Sequence, residues 1–305
     1  MTVAYQLAII ALSIVGLWKG ADWVVESAAR IARKLGLSEL VIGLTVVAIG
    51  TSAPEFAVSI TAAVKGQADI SIGNVVGSNI FNLGFILGGV ALFGGVTISR
   101  RMLWRDGGML IGTGALLVIL LADGTLQSWE GAILASLLVA YVIFLFVQKQ
   151  PMEEVPPDGG FHWWDIPLVI VGIAVIVTAG HFLVVSASAL ARLAGVSEWL
   201  IGVTIVAIGT SMPEFATSFI ALVRGHHGLS IGNLIGSDLF NLLGVLGLAA
   251  MLRPLHIAPE AWESVVILAV FMLIVVGMMR TGWKISRTEG AILLVLTAIR
   301  WWMNL

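Results

Sequence analysis

Two glutamates stand beside prolines inside long apolar stretches, and the chain carries that arrangement twice. Gly50-Thr51-Ser52-Ala53-Pro54-Glu55-Phe56 recurs as Gly209-Thr210-Ser211-Met212-Pro213-Glu214-Phe215, at an offset of 159 residues. A proline lacks an N–H and its ring crowds the carbonyl four residues earlier, so each motif predicts a bent or broken helix. Carbonyls just before the break, those of Ala48 and Thr51 or of Ala207 and Thr210, can then turn toward a cavity. Thr51, Ser52 and Glu55 fall within about one helical turn, as do Thr210, Ser211 and Glu214, so hydroxyls and carboxylate share one side of each break. A second repeated motif follows. Gly73-Asn74-Val75-Val76-Gly77-Ser78-Asn79-Ile80-Phe81-Asn82 is echoed by Gly232-Asn233-Leu234-Ile235-Gly236-Ser237-Asp238-Leu239-Phe240-Asn241. Ser78 and Asn82 lie four apart on one helix face, and so do Ser237 and Asn241.

The donors in this set are carboxylate, amide, hydroxyl and carbonyl oxygens. The chain has no cysteine, which removes thiolate ligands and disulfides, and no histidine enters either motif. Hard oxygen donors suit Ca²⁺ and Na⁺ rather than zinc or copper. Two uncompensated carboxylates in a low-dielectric interior cost several kcal/mol per ion. One divalent or two monovalent cations would neutralise Glu55 and Glu214 together. A protein that crosses the membrane barrier only when so neutralised exchanges one cation species for another instead of leaking.

The elements that must position these residues are membrane helices. Of 305 residues, 59% are hydrophobic and 11% charged, and mean hydropathy is +1.03. A water-soluble domain carries about a quarter charged residues. The apolar runs exceed what barrel strands need and recur along the whole chain. They predict an all-α integral membrane protein with ten spans, over roughly 3–29, 40–64, 70–96, 103–122, 129–147, 165–190, 199–223, 229–252, 262–280 and 287–304. The first run lacks a cationic leader region and a small-residue cleavage site, and reads as a retained helix. A net charge of −2 offers nothing to nucleic acid.

Charge placement predicts the orientation. Connections after odd-numbered spans carry Arg30, Arg33, Lys34, Arg100, Arg101, Arg105, Lys149, Arg224, Arg280, Lys284 and Arg287; the opposite side has Lys65, Arg192, Arg253 and Arg300. Positive residues favour the cytoplasm, so both termini are expected outside a cell (plasma) membrane. Trp129, Trp163, Trp164, Trp199, Trp262, Trp301 and Trp302 stand near span ends, as an interfacial belt requires.

Residues 41–84 and 200–243 align without a gap at 26 identities in 44 positions. The chain therefore reads as two homologous halves, 1–147 and 164–305, joined by a polar connector over 148–163. The connector's core, Gln150 to Gly160, contains adjacent prolines and glycines and predicts a flexible cytoplasmic link. Five spans per half is an odd number, so the second half enters from the opposite side and the repeats are inverted, a common transporter build with its site near the midplane. Retention of the motifs by gene history alone would not explain polar groups kept at membrane depth. A pure kink role suits a lone membrane proline but not one beside Glu in both copies, and interhelical hydrogen bonding accounts for a single Ser or Asn better than for the whole set.

These stretches resemble the α-repeats of the cation/Ca²⁺ exchanger superfamily, and the pattern is most similar to its prokaryotic sodium/calcium antiporter branch. The resemblance spans essentially the whole chain. It implies secondary active antiport of Na⁺ for Ca²⁺ by alternating access, no enzyme activity, no cofactor beyond the transported ions, and no obligate protein partner. It implies Glu55 and Glu214 as central Ca²⁺ ligands with the Thr51 and Thr210 carbonyls. Na⁺ sites would draw on Ala48, Ser52 and Ser78, and on Ala207, Ser211 and Ser237, with Asn82 completing the middle. Some relatives carry aspartate where this chain has Asn241, so K⁺ co-transport is not expected here. Asp238, about 60° away around a helix, is either a local substitute or a helix contact. The proton-coupled branch has a glutamate where this chain reads Gly77-Ser78 and Gly236-Ser237, which weighs against H⁺ coupling. The alternatives are an H⁺-coupled or other-divalent antiporter, a cation channel, and an intramembrane hydrolase at Ser52 or Ser211.

Lys19, Asp22 and Glu26 share a face of the first span, and the spacing predicts a Lys19–Asp22 pair or a tethered cation that reaches the site. His226 and His227 are expected as solvated loop residues, with pH sensing the other reading. The long first and sixth spans lie outside the ion motifs and are candidates for a sliding gate.

Overall fold

The computed structural model describes residues 3–148, 160–196, 205 and 207–302. The connector predicted over 148–163 and the start of the seventh span predicted from 199 fall largely outside these residues. The apolar runs are helical, because a helix satisfies its backbone hydrogen bonds internally where no water can. In chain order the helices are α1 (Val3–Leu35), α2 (Glu39–Thr51), α3 (Ala53–Val64), α4 (Ala68–Gly94), α5 (Arg100–Leu120), α6 (Ser128–Val147), α7 (Asp165–Leu193), α8 (Ala207–Thr210), α9 (Met212–Val223), α10 (His227–Leu252), α11 (Pro259–Arg280) and α12 (Arg287–Trp302). Among the described residues seven helices are long and apolar enough to cross a membrane, eight when α2 and α3 count as one span bent by 53°.

Local sequence explains the ends. The Ser38 hydroxyl caps α2 by accepting from the Val41 N–H, and Ser99 does the same for Met102 at the start of α5. Gln127 and Glu130 form a reciprocal capping box on α6. Gly36 turns the chain at the end of α1 with φ of 68°, a backbone conformation that favours glycine. Within the helices, π-turns span Gly43–Val47, Asn82–Ile86, Leu103–Gly107 and Phe240–Val245. Such turns add a residue to the helical ladder and often mark functional positions.

The described residues form two compact units that interleave the halves of the sequence: 1–54, 149–233 and 299–305 in one, 55–148 and 234–298 in the other. In the first unit α1 and α7 run against each other along much of their length. Gly20 and Gly172 let the two backbones meet. A Cβ on Gly20 would lie 2.7 Å from Ile176 Cγ1 and 2.9 Å from the Gly172 carbonyl oxygen, a close approach of the kind small residues permit between membrane helices. The charged end of this helix pair is cross-linked. Arg30 Nε and Nη2 donate to the buried Asp165 at 2.9 and 2.7 Å, and Arg224 pairs with Asp22. Asp22 thus takes its cation from the α9–α10 turn rather than from Lys19, which is exposed on the outer face of α1. The Lys19–Asp22 pairing expected from spacing does not form, because Arg224 offers a guanidinium on the packed side of the helix.

His226 corrects a second expectation. It is 4% exposed, and its Nδ1 lies 2.8 Å from Glu39 Oε1 at the start of α2; His227, the next residue, is exposed. Gly225, with φ of 84°, turns the chain so that one histidine points in and the next points out.

The second unit has a core of Leu83, Ile86, Leu87, Leu110, Leu117, Leu134 and Met272, all buried. Two short antiparallel pairings, β1 (Val96–Thr97) with β4 (Lys284–Ile285) and β2 (Thr125–Leu126) with β3 (Leu255–His256), tie its connections together. They are the departures from an all-helical build among the described residues. Each joins connections that the charge count assigns to one side. Arg100 and Arg280 stack over the Trp283 ring at 4.9 and 4.6 Å beside the first pairing. Among the described residues Glu55, Glu214, Asn79, Asn82, Asp238 and Asn241 are buried together with the apolar core, while Leu12, Phe93, Ile119 and Val147 are exposed.

Two predictions follow from this packing. Gly20→Val should destabilise the protein by about 1–3 kcal/mol through overpacking, seen as a lower thermal midpoint in detergent. For His226, burial pulls the pKa down, and the hydrogen bond and charge of Glu39, helped by Glu26, more than offset it against Arg224, leaving the pKa above the ordinary histidine value. A raised folded-state pKa means this stabilisation is complete below the unfolded value, about 6.5, and is lost as pH rises through the folded value. His226→Gln should therefore lower the thermal midpoint at acidic pH and converge on wild type at alkaline pH; a pH-independent difference would refute the ion pair.

Candidate functional site

Each glutamate motif breaks its helix at a serine. Ser52 leaves helical geometry with φ −79° and ψ 11°, and Ser211 does so with φ −89° and ψ 8°. Both breaks stand two residues ahead of a proline, where the missing N–H and the ring end the preceding ladder. The last turn of α2 is closed by the Ser52 N–H on the Ala48 carbonyl at 3.0 Å, and that of α8 by the Ser211 N–H on the Ile208 carbonyl at 3.2 Å. The Thr51 hydroxyl also faces the Ala48 carbonyl, at 3.3 Å.

In the first unit the motif of one half meets that of the other. Ser52 Oγ donates to Glu214 Oε1 at 3.0 Å, with both side chains buried. Thr51 Oγ1 shares its proton between the Ala48 carbonyl and Asn233 Oδ1, the latter at 3.2 Å. Asn233 Nδ2 in turn donates to the Glu214 carbonyl at 3.4 Å and to Ser218 Oγ at 2.9 Å. One asparagine thus holds α9 at the backbone of its glutamate and at the hydroxyl one turn later, while its oxygen receives Thr51. A close approach of α2 and α10 makes this possible: a Cβ on Gly232 would lie 2.6 Å from the Leu40 carbonyl oxygen. Ser211 is buried here, and Thr210 is half-buried.

The second unit repeats the clamp on Glu55. Asn74 Nδ2 donates to the Glu55 carbonyl at 3.3 Å and to Ser59 Oγ at 2.9 Å. These are the same contacts, shifted by the repeat offset. Ser78, one turn along α4, spends its proton on the Asn74 and Val75 carbonyls, which leaves its oxygen lone pairs as acceptors. Further along, Asn82 Nδ2 donates to Asp238 Oδ1 at 3.1 Å, Asn79 Nδ2 to the Asp238 carbonyl at 3.1 Å, and Asn241 Nδ2 to Asn79 Oδ1 at 3.2 Å. Ser237 is buried on the same helix. Asn82 opens the π-turn Asn82–Ile86, and Asn241 is the second residue of the π-turn Phe240–Val245.

Of the residues predicted from sequence, Thr51, Ser52 and Glu214 are linked through hydrogen bonds in the first unit, and Asn82 and Asn241 join one network in the second. The clamping Asn74 and Asn233 and their partners Ser59 and Ser218 were not expected as site residues, although both asparagines stand in the repeated motif. Their signal was an amide retained in both copies at a fixed distance from the glutamate. Short polar side chains hold the two motif glutamates, Ser52 at the Glu214 carboxylate and an asparagine at each backbone carbonyl, and hydroxyl, amide and carboxylate oxygens are donors that suit hard cations.

A chain with this helical membrane fold and these paired oxygen-rich motifs is built for cation transport. The model of the family described as sodium/calcium exchanger protein matches residues 5–147 and 164–302, and the chain belongs to that family. It is 33% identical to the sodium/calcium exchanger MaX1 of Methanosarcina acetivorans, over 96% of each chain. It is also 33% identical to the inner membrane protein YrbG of Escherichia coli, over 96% of this chain and 97% of that one. A solved structure of the sodium-calcium exchanger NCX_Mj superposes with a TM-score of 0.86 at 28% identity, covering 98% of both chains. The protein is thus a multi-pass membrane protein of a cation-exchanger family.

The clamp can be tested separately from transport. Asn233→Leu, close in volume, should cost about 1–3 kcal/mol by leaving buried polar partners unsatisfied. Asn74→Leu should cost less because Asn74 is only half-buried. Thermal denaturation of the purified protein checks both; equal losses would contradict the burial argument.

Proposed function

We propose that this protein is a secondary antiporter that exchanges Na⁺ for Ca²⁺ across the cell membrane by alternating access. The observation that carries the reading is the duplicated Gly-Thr-Ser-x-Pro-Glu motif, in which Ser52 of one copy bonds Glu214 of the other. In this reading Glu55 and Glu214 supply the negative charge that Ca²⁺ or Na⁺ neutralises, with the Thr51 and Thr210 carbonyls as further Ca²⁺ ligands. Ser52, Ser78, Ser211 and Ser237, with the Ala48 and Ala207 carbonyls, serve Na⁺, and Asn82 and Asn241 contribute amide oxygens. The breaks at Ser52 and Ser211 suit this role, since backbone released from a helix at membrane depth is tolerated where it faces protein or lines a polar cavity. The ten-span count completes the reading: two inverted repeats of five, 1–147 and 164–305, with both termini extracytoplasmic. The basic residues around β1 and β4 support the orientation, because that pairing gathers Arg100, Arg280, Lys284 and Arg287 on one side.

Ca²⁺ uptake into proteoliposomes loaded with Na⁺ tests the exchange. Uptake should saturate, require Na⁺ on the opposite side, and fall to background in Glu55→Gln and in Glu214→Gln. Uptake driven equally by a proton gradient would make the protein a proton-coupled antiporter, and flux without any trans cation would make it a channel.

A further inference from the structure

Inverted repeats would make the two end states of exchange mirror images, and one cluster of charges in the first unit breaks that equivalence. Within this unit α1 and α7 form a tightly seamed pair. A Cβ on Gly16 would lie 3.0 Å from Ala179 Cβ, one on Gly20 would meet Ile176, and one on Gly172 would meet Val24, so the two helices run antiparallel. Arg30 fastens the end of α1 to Asp165 at the start of α7. α7 also lies across both helix breaks. A Cβ on Gly50 would collide with Ile173, and one on Gly209 with Val184. Any movement of the α1–α7 pair is therefore a movement over the two glutamate motifs.

The hairpin of α9 and α10 carries Glu214 and is fastened separately. Asn233 binds the Glu214 carbonyl and the Ser218 hydroxyl, and Ser230 Oγ donates to the Ser218 carbonyl at 2.7 Å. His226, in the turn of the hairpin, ties it to Glu39 at the start of α2. Arg224 stands between this assembly and the α1–α7 pair. It pairs with Asp22 of α1, and its Nε lies 4.0 Å from Glu26 Oε1. The Arg224 side chain is 47% exposed and that of Asp22 16%, so the pair is partly solvated and can open. A pair of this kind shifts an equilibrium by about two- to fivefold. The other half has no equivalent. At the offset of 159 residues, Arg224, Asp22 and Glu26 correspond to Lys65, His181 and Val185, so α7 brings no carboxylate to the matching place.

We propose that Arg224 is a positioning residue for exchange, a latch that holds the α1–α7 pair to the α9–α10 hairpin in one end state and sets the rate at which the pair moves over the glutamates. The assignment rests on the reading of the chain as an alternating-access exchanger and deepens it. With a latch in one half only, the two crossings differ in rate, and the crossing that starts from the latched state is the slow one.

Initial rates of Na⁺-dependent Ca²⁺ uptake at saturating ion concentrations, with full-length protein in proteoliposomes, test this. Arg224→Gln and Asp22→Asn should each raise turnover by about two- to fivefold, a direction that loss of a merely structural contact would not give. Arg224→Lys keeps the charge and should turn over at close to the wild-type rate. The double variant Arg224→Gln/Asp22→Asn should be no faster than the faster single variant, because both changes open the same pair. Equal or slower turnover in a folded Arg224→Gln would overturn the proposal, as would independent gains that multiply in the double variant. Should Arg224→Gln fail to fold, an unchanged rate in Asp22→Asn would overturn it. An active wild type whose rate Arg224→Gln merely matches removes the latch alone, whereas a wild type without Na⁺-dependent uptake removes the exchanger reading and the latch with it.

Discussion

A helix broken beside a glutamate inside an apolar medium must have its freed backbone held by something, and in this protein an asparagine holds it. Asn74 and Asn233 each bridge the carbonyl of a glutamate and a serine hydroxyl one turn later. The bridge uses both amide protons, so the first turn of the helix after the break is fixed at two points from a neighbouring helix. The proline supplies the break and the asparagine makes the break rigid. A glutamate on a frayed helix end would sample many positions, and a ligand that moves is a poor discriminator between ions of similar charge density.

The same clamp sits in unlike settings. Asn233 is fully buried and receives Thr51 through its oxygen, while Asn74 is half-buried. The second copy carries Asp238 where the first has Asn79. Repetition of sequence has therefore produced two related but inequivalent environments. In the exchange proposed above, that inequality would let the two halves grade a divalent and a monovalent cation by different criteria.

Much of this architecture was legible in the amino-acid sequence because its causes are local. Pro54 and Pro213 act on the residues just before them, and the breaks fall at Ser52 and Ser211. The apolar runs became helices for the same local reason. What spacing could not show were partners brought from far along the chain. Lys19 and Asp22 share a face, yet Asp22 is claimed by Arg224, which lies 202 residues away. His226 occupies a turn that reads as polar and solvated, yet it is buried against Glu39, 187 residues away. The bond from Ser52 to Glu214 is of the same kind. The asparagine clamps lie between these cases: the residues were visible in the repeated motif, but the group each would grip was not.

The interleaving of the halves has a consequence for how the protein is made. Neither compact unit is a contiguous stretch of chain. One needs residues from before position 54 and after position 149, and the other needs 55–148 together with 234–298. When the ribosome has delivered the first half, β1 and β2 have no strands to pair with, because β3 and β4 are still to come. Asp22 waits for Arg224, Glu39 for His226, and Asn79 and Asn82 for Asp238 and Asn241. Gly84 finds its tightest neighbour, Thr297, only after the second half has been made. Contacts separated this widely in sequence close late. The first half must therefore sit in the membrane with its polar groups incompletely matched until the second half arrives, and its assembly is governed by helices translated later rather than by its own.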